Sequence, residues 1–366
     1  MRILLVNDAL EGGGAELVFR KTGELLRREN IQVELFTAAE RPTPSWSTVV
    51  GYVHSIKTGR RLQAVLERFQ PQIVHLHNYY HLLSPGILYY LKQYRRKHLL
   101  RVVCTLHDYH LICANNSCIR WKGDTPSICE DCAAGQYHHI LKNNCDVRNY
   151  GISILKYLQH AINYQLCHLH TSIDHFVSPS NYLKSRHCQL LPESSISVVY
   201  NPVFDFGKLN LTQPEPGDST AGDYPDIFIG RIAPEKGLHR FLEEDFNPDK
   251  WGALQIIGDG DSHYLQRLKK ILKHRGLENK VQFTGRLDHE STLKQLSRAN
   301  RLIFPSIWYE NCPLVILEAL QFGKQVFHYG IGAVPEIISA VSGDPKLLRE
   351  ENYLTSLLKI YDKLCA

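Results

Sequence analysis

Residues 226–237 read Asp226-Ile227-Phe228-Ile229-Gly230-Arg231-Ile232-Ala233-Pro234-Glu235-Lys236-Gly237. A short apolar run stops at a glycine, two cations follow within a turn, and residues 238–242 begin a helix. An apolar run of this length, bounded by glycine, predicts a strand buried on both faces. Strand, tight turn and helix together form the repeating unit of a parallel α/β sheet. The same unit opens the chain: Ile3-Leu4-Leu5-Val6, then the flexible turn Glu11-Gly12-Gly13-Gly14-Ala15-Glu16, then a helix with Leu17, Val18, Leu25 and Leu26 on one face.

Outward from these two units the alternation continues. Further strands are predicted at 31–37, 72–77, 99–106, 172–178 and 197–200 in the first half. In the second half they fall at 254–258, 281–283, 301–304 and 325–327. Residues 201–225 are rich in Pro, Gly, Asp and Thr with little periodicity, the composition of a linker. The expected organisation is an N-terminal Rossmann-like domain (1–200) with an insert at 109–150, the linker, and a C-terminal Rossmann-like domain (226–350). A final amphipathic helix (351–366) crosses back toward the first domain. The fold class is α/β, with two Rossmann-like domains facing each other across a cleft and ligands at the carboxyl ends of the strands.

Composition agrees. The chain has 366 residues, 43% hydrophobic and 22% charged, which excludes disorder, collagen and coiled coil as its main class. Its length exceeds the size at which single cores stop growing, about 250–300 residues. Lys+Arg 42 against Asp+Glu 37 leaves +5. That suits an anionic ligand or a membrane surface and falls short of a nucleic-acid binder. The apolar start is too short for a signal peptide, and no run approaches a transmembrane helix. A cytoplasmic location is expected, at the inner face of the cytoplasmic membrane, where structural disulfides are rare.

Two segments carry chemistry. In Pro305-Ser306-Ile307-Trp308-Tyr309-Glu310-Asn311-Cys312-Pro313-Leu314-Val315-Ile316-Leu317-Glu318, two glutamates eight residues apart flank a helix start. Pro313 suits an early helical position, because its missing N–H is an orphan there anyway. The amides of Asn311 to Val315 would then face an anion at the positive end of the helix dipole. In the second segment, Arg231 and Lys236 are cations at a strand-to-helix turn, suited to gripping a diphosphate.

Taken together, these residues resemble the retaining, nucleotide-sugar-dependent glycosyltransferases of family 4, which have the two-Rossmann-domain GT-B fold. The family's E-x7-E motif matches Glu310 and Glu318. Its G-R-x-x-x-x-K-G motif matches Gly230, Arg231, Lys236 and Gly237. Gly13-Gly14-Ala15-Glu16, Thr105-Leu106-His107-Asp108, Val199-Tyr200-Asn201-Pro202-Val203, Gly258-Asp259-Gly260 and Phe283-Thr284-Gly285 match in family order. The resemblance covers nearly the whole chain.

It implies a role for each matched residue. Arg231 and Lys236 would hold the donor diphosphate and neutralise the leaving group, with the amides of Asn311, Pro313, Leu314 and Val315 adding to the grip. Glu318 would accept from the ribose hydroxyls, and Glu310 would contact the transferred sugar. Arg286 and Leu287 would lie by the base. Gly13, Gly14 and Gly230 would let backbone approach the phosphates. His107 would act on the sugar or acceptor side, with Asn78 beside it. Transfer would need no metal, since the one D-x-D run, Asp259-Gly260-Asp261, falls in the family's structural G-D-G turn. The leaving phosphate itself would deprotonate the acceptor. The partners implied are a nucleotide-sugar donor and a saccharide or polyprenyl-linked acceptor in bacterial surface polysaccharide assembly, with no nucleic acid. A basic, aromatic-rich stretch at 142–187 suits peripheral contact with a membrane. Alternatives on the same fold are a nucleotide-sugar epimerase and a catalytically weak nucleotide-sugar-binding protein. A phosphorylase would need a pyridoxal lysine motif, which is not found.

Five of the ten cysteines fall between Cys113 and Cys145, including the knuckle Cys129-Glu130-Asp131-Cys132. Four thiolates would satisfy tetrahedral zinc or an iron–sulfur cluster. A family subgroup carries a similar insert, which implies Cys113, Cys129, Cys132 and Cys145 as ligands, with His139 and Cys118 as alternatives. Two departures from the family stand out. Gln325 occupies a usual proline position, and the region after Pro335-Glu336-Ile337-Ile338 is short, which is expected to limit activity or domain closure.

Overall fold

A computed structural model of the chain describes residues 1–38, 46–143, 145–203 and 224–366. Most of the expected linker therefore lies outside the described residues. The chain divides into two compact units. One comprises 1–122, 127–202 and 349–366, and the other 123–126 and 203–348.

The first unit runs β1 (Arg2–Val6), α1 (Gly14–Arg28), β2 (Gln32–Phe36), α2 (Trp46–Val53), α3 (Ile56–Phe69), β3 (Ile73–Leu76), α4 (Ile87–Tyr94) and β4 (Arg101–Thr105). A two-stranded ribbon, β5 (Ile119–Lys122) and β6 (Thr125–Ile128), follows in the insert, where no strand was expected. Then come α5 (Tyr150–His160), β7 (His175–Ser178), α6 (Asn181–His187) and β8 (Ile196–Val198). The sheet order is β2-β1-β3-β4-β7-β8, and its pairs are parallel. Ile3, Leu4, Leu5 and Val6 are fully buried, as a strand covered by helices on both faces requires.

The second unit holds β9 (Asp226–Ile229), the short α7 (Leu238–Arg240) and α8 (Pro248–Trp251), β10 (Leu254–Ile257), α9 (Ser262–His274), β11 (Val281–Gly285), α10 (His289–Arg298), β12 (Arg301–Phe304), α11 (Leu314–Gln321), β13 (Gln325–His328) and α12 (Val334–Gly343). Its parallel sheet has the order β11-β10-β9-β12-β13. Phe228, Phe241, Trp251, Leu268 and Ile303 anchor its core. Each such side chain contributes about 1.5–3 kcal/mol by leaving water. At the base of the sheet, Asp226 is buried and takes a two-pronged hydrogen bond from Arg301, 2.8 Å on each side.

The last helix, α13 (Glu350–Cys365), belongs to the first unit. Tyr353 Oη lies 2.7 Å from Thr22 Oγ1 on α1, and Tyr361 Oη 2.6 Å from His75 Nδ1 on β3. Arg28 pairs with Glu350 at 3.0 Å.

Both sheets have a topological switch point, where successive connections leave in opposite directions and the loops open a crevice at the strand ends. In the first unit it lies between β1 and β3. In the second it lies between β9 and β12.

Candidate functional site

The second unit's switch point is built by the loops after β9 and β12. Gly237 sits at φ +72, and a Cβ there would fall 1.9 Å from the Pro305 carbonyl oxygen, so only glycine lets the loops meet. Ile307 donates its N–H to the Glu235 carbonyl at 3.0 Å, which fastens one loop to the other. This junction brings Lys236 to Glu310, with Nζ 2.6 Å from Oε1. The same oxygen accepts from Ser306 Oγ at 2.8 Å and Trp308 Nε1 at 2.6 Å. Glu310 is buried, and Lys236 also lies over the Trp308 ring, 5.2 Å from its centroid. A third loop closes in: Gly332 has φ +71, and a Cβ there would press to 2.5 Å from the Glu310 amide nitrogen.

Arg231 pairs with the buried Glu235, and two-thirds of its own side chain faces solvent. A cation in solvent next to a backed, oriented ammonium suits an anion with several oxygens. Gly230, at the start of this loop, donates to the Ile257 carbonyl at 3.0 Å. The α11 N-terminus adds its dipole. Pro313 caps that helix from an extended conformation, one residue earlier than the position expected from the sequence. Asn311, Pro313, Leu314 and Val315 are all half-buried. Glu318, on the buried side of α11, takes a hydrogen bond from His289 Nε2 at 2.9 Å. Arg286 is exposed and Leu287 half-buried just beyond β11.

In the first unit, Gly13 and Gly14 are exposed at the α1 N-terminus, where Glu16 turns back to accept the Gly13 N–H at 2.8 Å. His107 follows β4 and lies 2.9 Å from His77 Nδ1, their rings stacked at 5.1 Å. His75 continues the chain, with Nε2 2.7 Å from Thr105 Oγ1. Asn78 donates its N–H to Asn7 Oδ1 at 2.8 Å. His77, Asn78 and His107 line one small depression together with Asp108.

Burial sets the charge of this cluster. It lowers His75 to about 3, helped by the nearby His107, and lowers His107 to about 4. His77 also falls well below its ordinary value, from burial and then from its two neighbours. His107 is therefore a neutral hydrogen-bonding group near pH 7. Burial acts the other way on Asp108, raising it to about 7. Each depressed histidine withholds a proton that the unfolded chain binds below about pH 6.5, so stability is lost as pH falls toward 4. For His107 alone the loss is roughly 3 kcal/mol. Asp108 opposes it, because the folded state holds that proton first. His110, His160 and His187 in the same unit are also lowered by burial and act in the same direction, so the first unit is expected to lose stability between pH 6.5 and 4, read by denaturant titration at stepped pH. A flat profile would contradict the neutral-histidine cluster.

The cysteine insert differs from expectation. Cys113, Cys118, Cys129, Cys132 and Cys145 are free thiols. Among the described residues no group of three or more His, Cys, Asp or Glu side chains is placed to hold a metal ion. Cys113 engages Cys118 instead, whose N–H approaches its Sγ at 3.4 Å, while Cys129 accepts from Asn143 at 3.6 Å. His139 turns to Gln136 Oε1 at 3.3 Å. The arrangement gives no support to the zinc or iron–sulfur centre expected on Cys113, Cys129, Cys132 and Cys145.

Several residues now central carried no clear signal. Ser306 and Trp308 stood inside the quoted segment but without an assigned role. Glu235 stood between two cations, also without an assigned role. His289 and His77 were two histidines among 19.

Residues 12–204 match the family model described as "Glycosyltransferase Family 4", and residues 221–344 match "Glycosyl transferases group 1". An "Alpha-D-kanosaminyltransferase" of Streptomyces kanamyceticus is 29% identical over 113 residues, 31% of this chain and 29% of that protein. An "Uncharacterized 42.6 kDa protein in cps region" of Klebsiella pneumoniae is 24% identical over 291 residues, 78% of this chain and 64% of its own length. The matches thus span less than two thirds of either relative. Among solved structures, a sucrose-phosphate synthase from Thermosynechococcus elongatus superposes with a TM-score of 0.65 at 16% identity, covering 99% of this chain and 98% of that one. At that identity the likeness speaks for the fold alone.

Proposed function

The chain belongs to glycosyltransferase family 4, and from that premise we propose a retaining enzyme that moves a hexosyl group from a nucleotide sugar to a saccharide or lipid-linked saccharide. The setting is surface polysaccharide assembly on the cytoplasmic side of the membrane. The observation that carries the reading is the Lys236–Glu310 pair, held at 2.6 Å at the sheet's switch point. There a fixed ammonium, the solvent-facing Arg231 and the α11 N-terminus are all within one unit.

Chemically, the bond between the anomeric carbon and the diphosphate oxygen breaks, and charge grows on that oxygen. Lys236 and Arg231 stabilise it, an electrostatic effect that needs no metal. The acceptor oxygen then bonds to the anomeric carbon from the same face, and its proton passes to the departing phosphate. Glu310 fits this path as the group that positions Lys236. One of its oxygens already takes three hydrogen bonds, which is a poor arrangement for a nucleophile. Glu318 is the ribose acceptor, and His107 and Asn78 serve the acceptor side. The kanosaminyltransferase relative supports glycosyl transfer, and the relative from a cps region supports the surface-polysaccharide setting.

The test is to supply UDP-, GDP- and ADP-sugars with a saccharide acceptor and read the product by proton NMR. The same anomeric configuration as the donor is expected, with activity retained in excess EDTA. An inverted product, or EDTA inactivation reversed by magnesium or manganese, would overturn the mechanism. Donor epimerisation without transfer, or binding without turnover, would replace it with an epimerase or a binding protein. Glu318→Gln is expected to raise KM for the donor about 10-fold with kcat little changed, as for a contact made equally in ground and transition states.

A further inference from the structure

Helix α5 is inside out. With its continuation through 161–166 as a wider π-type turn, it points polar side chains into the protein and apolar ones into solvent. Lys156, Gln159, His160 and Asn163 are buried, Gln159 and His160 completely. On the opposite face Tyr150, Ile154, Leu158, Ile162 and Leu166 recur every four residues and are all exposed, Leu166 to 76%. At that spacing they form one stripe.

The polar face is hydrogen-bonded to the protein, with Gln159 Oε1 the buried exception, and these bonds fix the helix in this rotation. Gln159 Nε2 donates to the Tyr52 and Tyr80 carbonyls at 2.7 and 2.9 Å. Asn163 donates to the Val53 carbonyl at 2.9 Å. His160 Nε2 lies 2.9 Å from the His110 carbonyl, and Lys156 pairs with the buried Asp146 at 2.9 Å. Turning the stripe inward would orphan all of these groups.

The stripe is not isolated. Helix α2, which packs on α5, exposes Val49 and Val50. The next turns expose Ile56 on α3 and Tyr89 on α4, joined by His54, whose ring lies 6.1 Å from that of Tyr89. Apart from Met1 and Leu10, every exposed large apolar side chain among the described residues lies in 46–107 or 147–173. Those two segments contain a single carboxylate, Glu67, which lies 3.8 Å from His98 Nε2. They also contain exposed cations at helical spacing from the apolar groups: Arg60 four residues from Ile56, and Lys92 three from Tyr89. Among the described residues neither cation is ion-paired.

Apolar side chains interleaved with unpaired cations, with Glu67 the one carboxylate in these segments, complement one kind of surface: a bilayer with anionic headgroups. We propose that this face of the first unit, centred on the α5 stripe, lies on an anionic membrane. The apolar side chains enter the headgroup boundary and the cations meet lipid phosphates. No described helix is long and apolar enough to cross a bilayer, so the contact is one of lying on the surface. The proposal deepens the lipid-linked acceptor reading above, but binding alone tests it. A failure of docking and a failure of transfer are therefore separate results.

The experiment is vesicle co-sedimentation of the full chain, comparing phosphatidylcholine with phosphatidylcholine–phosphatidylglycerol vesicles. The wild type is expected to partition at least ~10-fold more strongly to the anionic vesicles, and less so as salt rises. The double variant Leu158→Glu, Ile162→Glu is expected to lose that binding while keeping the wild-type melting temperature, because both sites face solvent. Arg60→Glu with Lys92→Glu is expected to weaken it and to remove the preference for anionic lipid. No binding by the wild type, or equal binding by the Leu158/Ile162 variant, would overturn the proposal. So would a stable lipid-free dimer that the Leu158/Ile162 variant converts to monomers, since the face would then be a self-association surface.

Discussion

Lys236→Ala is expected to lower kcat/KM for the donor by about 10³-fold, some 4 kcal/mol of transition-state stabilisation, while the protein stays folded. The size follows from the placement of this ammonium. It is held by Glu310 at 2.6 Å and by the Trp308 ring at 5.2 Å, with most of its side chain covered, so little reorganisation is needed when charge develops beside it. A solvated surface lysine would contribute far less. The fold survives because Glu310 keeps hydrogen bonds from Ser306 and Trp308 after the lysine is lost. The expected stability cost is about 1–3 kcal/mol, measurable in denaturant. Unchanged kinetics with unchanged nucleotide affinity would mean that the diphosphate binds elsewhere.

Glu310→Gln separates positioning from nucleophilic catalysis. The amide keeps an acceptor oxygen for Ser306 and Trp308 but removes the charge that aims Lys236. A positioning role predicts kcat lower by about 10²-fold, with nucleoside diphosphate affinity equal to or tighter than wild type. Lys236 is then freed to pair with phosphate in the ground state. A nucleophile would instead give near-complete loss of turnover, and the wild type would trap a glycosyl adduct on this carboxylate, visible by intact mass. Glu310→Ala is the harsher change. It leaves three donors facing a buried gap and is expected to cost about 3 kcal/mol of stability.

The sheet strands were legible because both faces are covered: Ile3 to Val6, Asp226 to Ile229 and Arg301 to Phe304 are short apolar runs bounded by turn residues or polar residues. The phosphate grip was legible because Gly230, Arg231, Lys236 and Gly237 stand together in one turn. What joined the grip to Glu310 was not. The Gly237–Pro305 contact and the Trp308 donor are made between residues about 70 positions apart, or through a side chain whose neighbours alone say nothing. The α5 stripe was misleading for a related reason. A basic, aromatic-rich segment was visible, but periodicity cannot say which face of a helix is turned inward. Here hydrogen bonds to the carbonyls of Tyr52, Val53 and Tyr80 decide it. In the insert, the resemblance implied a four-cysteine ligand set, which the described residues do not support; there the Cys118 N–H approaches Cys113 Sγ.

Calorimetric titration of UDP, GDP and ADP into the wild type and Lys236→Ala tests the central claim most directly. The account predicts that one nucleotide binds the wild type at one site with a micromolar-range Kd, and that the substitution weakens it about 10²-fold or more. If none of the three binds the wild type, or if the preferred nucleotide binds Lys236→Ala equally well, the donor site described here is contradicted.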